Sequence, residues 1–296
     1  MAVIEEHSYG ADISQLMNII INSFYSKKEI FLRELLSNSS DALEKYRYQS
    51  ITNPNLSTNQ ELKIRIKVNK NENYLVISDT GIGMTHDDII KCLGTIANSG
   101  TKKFFEQIES KEDTEHIGQF GVGFYSAFLV ADKVKVVTKH EDDKEFIWES
   151  ESRDKYTLVE SENPELERGT EIYLYLKENE REYLETAKIK EIVKKYTEFI
   201  NYPIEILELK QIEEEVEDVE TEEEESDKKL ERDEPKIEDL EEDEDEEKRE
   251  KSKNKKTVIK EVEEWNKINN EKPIWCRKPD TITYEEYNKF FKKINS

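Results

Sequence analysis

Only two cysteines and nine glycines occur among the 296 residues, and no basic stretch stands out. Cys92 and Cys276 lie far apart in unlike contexts, which leaves no disulfide framework and no zinc-ligand spacing. Such sparse usage favours a reducing compartment. No apolar run reaches the length that spans a bilayer, and the first residues, MAVIEEHSYGADISQ, hold no apolar signal core. Acidic side chains outnumber basic ones 69 to 45, and so acidic a surface repels phosphate backbones. The expectation is a soluble, intracellular chain with no nucleic-acid and no membrane partner.

The acidity is local. Residues 211 to 250 carry 24 acidic and 6 basic side chains, a net of −18, so −6 remains for the rest of a chain whose total is −24. From about Gln211 to Lys256 the sequence is low-complexity Glu, Asp and Lys with almost no aromatics. It cannot bury enough apolar surface to offset chain entropy and reads as a disordered linker. Three parts follow: a domain over residues 1–210, the acidic linker over 211–256, and the opening of a further domain over 257–296. In that last part Trp265, Trp275, Tyr284, Tyr287, Phe290 and Phe291 bring aromatics back, and Thr283 with Glu286 forms a capping box.

The first domain is built around IFLRELLSNSSDALEKYR, Ile30 to Arg47, which reads as a helix with two sides. At about 100° per residue, Glu34, Asn38, Asp41 and Lys45 share one arc, and Leu32, Leu35, Leu36, Leu43 and Tyr46 share the opposite one. A polar arc of this kind commonly faces water. Here its carboxylates, amide and amine also suit metal-phosphate chemistry. Residues 12 to 25 form an earlier apolar-periodic helix with Asp12 as N-cap. Leu62 to Val68 and Tyr74 to Ser78 read as an antiparallel hairpin. Thr85 and Asp88 form a capping box at the start of a helix. Strand patterns return near 133–138, 145–150, 156–160 and 170–176, followed by a helix near 180–200. Strands in runs with helices grouped around them predict an α+β two-layer fold.

Two glycine-bearing segments supply the remaining chemistry. Asp79-Thr80-Gly81-Ile82-Gly83-Met84 follows a strand, so Asp79 can project while the backbone comes close to a ligand; the same residues also make an ordinary tight turn. Gly118-Gln119-Phe120-Gly121-Val122-Gly123-Phe124 opens an apolar helix, Phe124 to Val130, where backbone N–H groups could cradle an anion. No parallel βαβ unit follows and no Gly-Lys-Ser/Thr triplet occurs, so neither a dinucleotide fingerprint nor a P-loop is present.

Taken together, RELLSNSSDALEK, DTGIGM and GQFGVGFYS, in this order, resemble the heat-shock protein 90 chaperones. That family belongs to the ATPase group that includes DNA gyrase, sensor histidine kinases and MutL proteins. The resemblance runs from Ile13 to the end of the chain, including KPIW…EEY at the opening of the family's middle domain. The acidic linker and the plain N-terminus look like the cytosolic branch, hence a cytoplasmic protein. The resemblance implies that group's two-layer sandwich, with a mostly antiparallel sheet covered by helices on one face.

It also implies ATP and Mg²⁺ as cofactors, with slow hydrolysis. Glu34 would be the general base and Asn38 the Mg²⁺ ligand. Asp79 would hold the adenine amino group, and Gly83, Met84 and Thr170 would line or water-bridge to the base. Phe124 would close the base's edge, and the backbone from Gly118 to Gly123 would cradle the phosphates. Asn98 and Ser99 would lie at the nucleotide, and residues from about Gly94 to Gly123 would form a closing lid. Asp41 and Lys45 stand behind these residues or are merely structural. Two positions depart from the family pattern. Cys92 replaces a common asparagine near the sugar, as a reachable rim thiol or a small buried apolar residue. Asn98 replaces a phosphate-facing lysine, which weakens charge compensation.

The function implied is an ATP-driven chaperone that clamps client proteins, works with co-chaperones and forms a homodimer when full length. This chain would turn over weakly or not at all, because the arginine that the family places on the γ-phosphate lies further along its middle domain. The alternative is a nucleotide-binding regulatory module with little or no turnover.

Overall fold

Strict alternation in the strands and a 3.6-residue repeat in the long helix direct their apolar sides to a common core. A computed structural model describes residues 4–8, 27–53, 60–94, 123–151, 155–197, 200–217, 255–269 and 274–294. In chain order the regular elements begin with β1 (Ile4–Ser8), α1 (Ile30–Thr52), β2 (Ile64–Asn69), β3 (Tyr74–Asp79) and α2 (His86–Leu93). A 3₁₀ segment, Gly123–Leu129, leads into β4 (Ala131–Lys139), β5 (Glu145–Ser150), β6 (Lys155–Glu160) and β7 (Gly169–Leu176). A second 3₁₀ segment, Glu178–Leu184, precedes α3 (Thr186–Tyr196), and β8 (Ile204–Glu217), β9 (Lys255–Lys267) and α4 (Tyr284–Ile294) follow.

The sheet order is β1-β6-β5-β4-β7-β3-β2-β8-β9. Every registered pair is antiparallel except β2 with β8, which is parallel. The α+β expectation holds. On one face of the sheet, Ile66, Ile77, Ile172, Val136, Trp148 and Leu158 stand opposite one another across six strands, and all are buried. On this face pack Phe31, Leu32, Leu35, Leu36 and Leu43 of α1 and the fully buried 3₁₀ segment Gly123–Leu129. Each such leucine contributes about 1.5–3 kcal/mol on leaving water. The opposite face is solvated. There Lys133 and Lys135 lie over the Tyr175 and Tyr173 rings at 5.5 and 5.3 Å.

The hairpin and the Thr85 capping box form as expected. Helix α1 runs past Arg47 to Thr52 and stops where Pro54 disfavours helical geometry at Asn53. The helix expected near 180–200 is broken. Glu185 is extended (φ −84°, ψ 115°) between the 3₁₀ turn and α3, because Tyr183 and Leu184 turn into the core just ahead of it. The α-helix expected over Phe124 to Val130 is instead the 3₁₀ segment Gly123–Leu129, whose seven residues are all buried, which leaves no solvent-facing side.

Two compact units divide the chain: residues 1–208 with 265–296, and Leu209–Glu264. The second unit holds the outer residues of β8 and β9. The expected edges at 210/211 and 256/257 fall inside β8 and β9. Residues 218–254 and the helix expected over 12–25 lie outside the described residues.

Candidate nucleotide site

The buried row of side chains changes character at its neighbour near the ends of the strands. In register with one another stand Ile64 on β2, Asp79 on β3, Thr170 on β7 and Thr138 on β4. Asp79 and Thr170 are each 7 % exposed and Thr138 is fully buried. The two threonine hydroxyls lie 3.0 Å apart, and Thr138 Oγ1 donates to Gly169 O at 3.1 Å. Met84 N–H donates to Thr138 Oγ1 at 3.0 Å. A polar floor is thereby built where an apolar row would otherwise continue.

Above this floor lies a cavity of about 430 Å³. Its walls include Asn38, Asp41 and Lys45 of α1, Gly83 and Met84 after β3, Lys91 and Cys92 of α2, and Gly123 and Phe124. The expected polar arc of α1 thus opens into a cavity between helix and sheet, with Ser39 and Ala42 beside it. Asp79, Thr170, Asp41, Lys45 and Cys92, distant in sequence, meet on this one surface. Its size and its mixture of apolar wall and convergent polar groups are those of a small-molecule site.

Burial pushes the Asp79 carboxyl up to about 7. The Gly81 N–H, the Ser39 hydroxyl and the Arg168 charge oppose that rise; the Gly81 bond to Asp79 Oδ1 measures 2.9 Å. A ligand N–H donor at this carboxylate would supply a further bond to the charged form. Gly83 has φ +70°, and a Cβ there would lie 2.0 Å from Lys139 O. Close strand approach therefore fixes that glycine. Gly169, at φ +117°, is fixed the same way against Asp79 O.

Glu34 does not line the cavity but stands at its edge. It is buried, and Arg33 donates to its Oε1 from NH2 at 2.7 Å and from Nε at 3.1 Å. Its Oε2 lies 2.7 Å from where a Cβ on Gly123 would sit. One carboxylate oxygen is engaged by arginine while the other looks toward a glycine of the cavity wall. Cys92 is exposed on that wall, so it is not a small buried core residue. The thiol sits against the pocket side of α2, and loss of water there, then Asp88, pushes its pKa up.

Among the described residues no group of three or more His, Cys, Asp or Glu could hold a metal ion. Mg²⁺ carried by phosphates asks for only one or two protein ligands, and Asn38, exposed on the wall, fits that requirement. Asn98, Ser99, Gly118, Gln119, Phe120, Gly121 and Val122 lie outside the described residues, as does most of the expected lid.

Several groups escaped the sequence reading, among them Ser39 and Lys91 on the wall, Thr138 and Arg168. Thr138, next to last in β4 and preceded by three valines, gives no local signal. Arg168 is 2 % exposed, covers the Tyr46 ring at 3.4 Å to its centroid, and donates to main-chain carbonyls of the Asp79 turn. Its only signal in sequence was a basic residue directly before Gly169-Thr170.

A family model described as histidine kinase-, DNA gyrase B- and HSP90-like ATPase matches residues 25–173, and one described as Hsp90 protein matches residues 182–296. An endoplasmin homolog of Arabidopsis thaliana is 52 % identical over 295 residues, covering 98 % of this chain and 36 % of that protein. The endoplasmin homolog of Dictyostelium discoideum is 48 % identical over 296 residues, covering 98 % and 38 %. The endoplasmin homolog of Hordeum vulgare is 50 % identical over 294 residues. The chain therefore spans a little over a third of the length of these relatives (36 % and 38 % in the first two). These findings overturn the cytosolic type and the cytoplasmic location. The relatives are named endoplasmin homologs, a name that points to the endoplasmic reticulum and not to the cytosol. An acidic stretch and a polar N-terminus report how a chain is solvated and carry no address.

Proposed function

The chain belongs to the histidine kinase-, DNA gyrase B- and HSP90-like ATPase family, in its Hsp90 form, and from that premise we propose that its cavity binds ATP to drive an endoplasmin-like chaperone. The observation that carries this reading is the polar row Asp79–Thr170–Thr138 beneath the α1 wall of Asn38, Asp41 and Lys45. Asp79 accepts the adenine amino group, Thr170 and Met84 flank the base, and Phe124 closes its edge. Asn38 would hold Mg²⁺, which would neutralise phosphate charge when bound. Glu34 takes the proton of the attacking water at Oε2, with Arg33 fixing the carboxylate through Oε1.

In the longer protein, binding would drive N-terminal dimerisation and clamping of client proteins, and slow hydrolysis would reset the cycle. Residues 1–210 would form the ATP-binding part, 211–256 an acidic linker, and 257–296 the opening of the middle domain. We place the protein with the endoplasmins in the endoplasmic reticulum, which fractionation of its source cells would test.

Calorimetric titration with Mg-ATP of this chain and of Asp79→Asn tests the site. Saturable binding lost in the variant supports it; equal binding by both excludes Asp79 from recognition. A second reading, a nucleotide-binding module with little turnover, draws on the grip of Arg33 on Glu34. Turnover by the longer protein that disappears in Glu34→Ala would exclude it.

A further inference from the structure

We propose that Arg168 is a positioning residue that aims the Asp79 turn at its ligand through two consecutive peptide groups. This deepens, and rests on, the reading of the cavity as a nucleotide site. Arg168 NH2 donates to Thr80 O at 2.9 Å, and the N–H of that same peptide group, on Gly81, donates to Asp79 Oδ1 at 2.9 Å. Arg168 Nε donates to Gly81 O at 2.9 Å, and the N–H of that next peptide, on Ile82, donates to Ala42 O of α1 at 3.1 Å. One guanidinium thus lies behind both peptides. The first points its N–H at the recognition carboxylate, and the second ties the turn to the helix that forms the opposite wall.

Hydrogen bonds in series polarise one another, and a positive charge at the carbonyl end strengthens the N–H at the other. Only a forked, planar cation spans two successive carbonyls in this way; an ammonium is a single point. A buried guanidinium is costly to desolvate, so its presence calls for such partners. Here they are the two carbonyls, the Tyr46 face at 3.4 Å, and Glu141, whose Oε1 lies 3.5 Å from NH1 and accepts from Tyr46 O–H at 3.1 Å.

The loop that delivers Arg168 is itself fixed: the buried Glu145 carboxylate accepts from Glu165 N at 3.0 Å and Leu166 N at 2.8 Å. Asp79 is faced by Ser39, Asp41 and Lys45 from α1, and by Lys91 and Cys92 from α2 across the cavity. Behind the turn stand Arg168, Tyr46, Glu141 and His140, the last three lining a second cavity of about 260 Å³. Of these groups, Arg168 is the cation that reaches Asp79 through the turn's own peptides.

Two readouts on the folded chain test this: the Asp79 carboxyl titration followed by ¹³C NMR without ligand, and the Kd for Mg-ATP by calorimetry at pH 8. In Arg168→Met the titration midpoint rises and the Kd weakens by about tenfold or more, the scale of one charge-assisted bond. Arg168→Lys restores the midpoint, because charge returns, but not the full affinity. In Glu141→Gln the midpoint falls, since the arginine charge is then less compensated. Folded Arg168→Met with an unchanged midpoint, or with an unchanged Kd, overturns the proposal. Should Arg168→Met fail to fold, Glu141→Gln decides, and an unmoved midpoint overturns it. If the unmodified chain binds no ATP while the midpoints move as stated, the nucleotide reading fails and the hold of Arg168 on Asp79 stands.

Discussion

Asp79 sets its own pH dependence. Its carboxyl sits at about 7 in the folded chain against an ordinary value of 3.8, so the native state holds a proton that the unfolded chain releases. The stabilising contribution of that proton is complete below about pH 4 and is lost as pH rises through 7. Above pH 7 the buried charge costs on the order of 4 kcal/mol, an upper bound set by the distance between the two values. Asp79→Asn is therefore expected to raise ligand-free stability at pH 8, with the gain fading toward pH 4, in denaturant unfolding at both pH values. The same variant loses Mg-ATP binding. Cys92 offers a second check at this scale. With its thiol pushed up by loss of water and Asp88, alkylation should be slow at pH 7.5 and accelerate only at higher pH than for a free cysteine. Saturating ATP should slow it further; modification at the rate of a free thiol would contradict the geometry.

At the scale of elements, the site depends on how closely strands approach. Gly169 carries φ +117°, and a Cβ there would meet Asp79 O at 2.0 Å. Gly169→Ala should cost about 2–4 kcal/mol, since both strain and a backbone clash must be relieved, and should weaken ATP binding through Asp79. Gly123→Ala differs: its Cβ would meet the far end of the Glu34 side chain at 2.7 Å and no backbone that close, so relief needs only a shift of that carboxylate against its Arg33 bonds. Thermal melts should therefore show a large loss for Gly169→Ala and a small one for Gly123→Ala. The capping box at α2 is a separate and smaller device. Thr85→Ala removes the bond from Asp88 N to the threonine hydroxyl and should cost about 1 kcal/mol.

At the scale of the whole molecule, charge and chemistry occupy different stretches. Every described residue that lines the cavity falls between Asn38 and Ile172, whereas 24 of the 69 acidic residues lie in 211–250. Deleting residues 218–254 should leave the Kd for Mg-ATP within about threefold at physiological salt, where ions screen solvent-exposed charges. A larger change would show that the acidic stretch acts on the site. Among the described residues no helix is long and apolar enough to cross a membrane. On and before α4, Tyr284, Phe291 and Trp275 remain exposed, and the Trp275 ring lies 5.8 Å from that of Phe290.

Sequence by itself determined the periodic features. The alternation of Leu62 to Val68, the two-sided pattern of Ile30 to Arg47 and the Thr85 capping box are each encoded within a few residues, because local geometry requires no distant partner. Three short motifs were enough to place the family. The tertiary structure decided what depends on register and close approach. It set Thr138 beside Thr170, broke the helix expected over 180–200 at Glu185, exposed Cys92, and turned the polar arc of α1 into a cavity wall. It also brought Arg168 behind the Asp79 turn across 89 positions of sequence (168 − 79). Such pairings follow from a sheet whose strand order differs from its chain order, and no window of neighbouring residues contains that information.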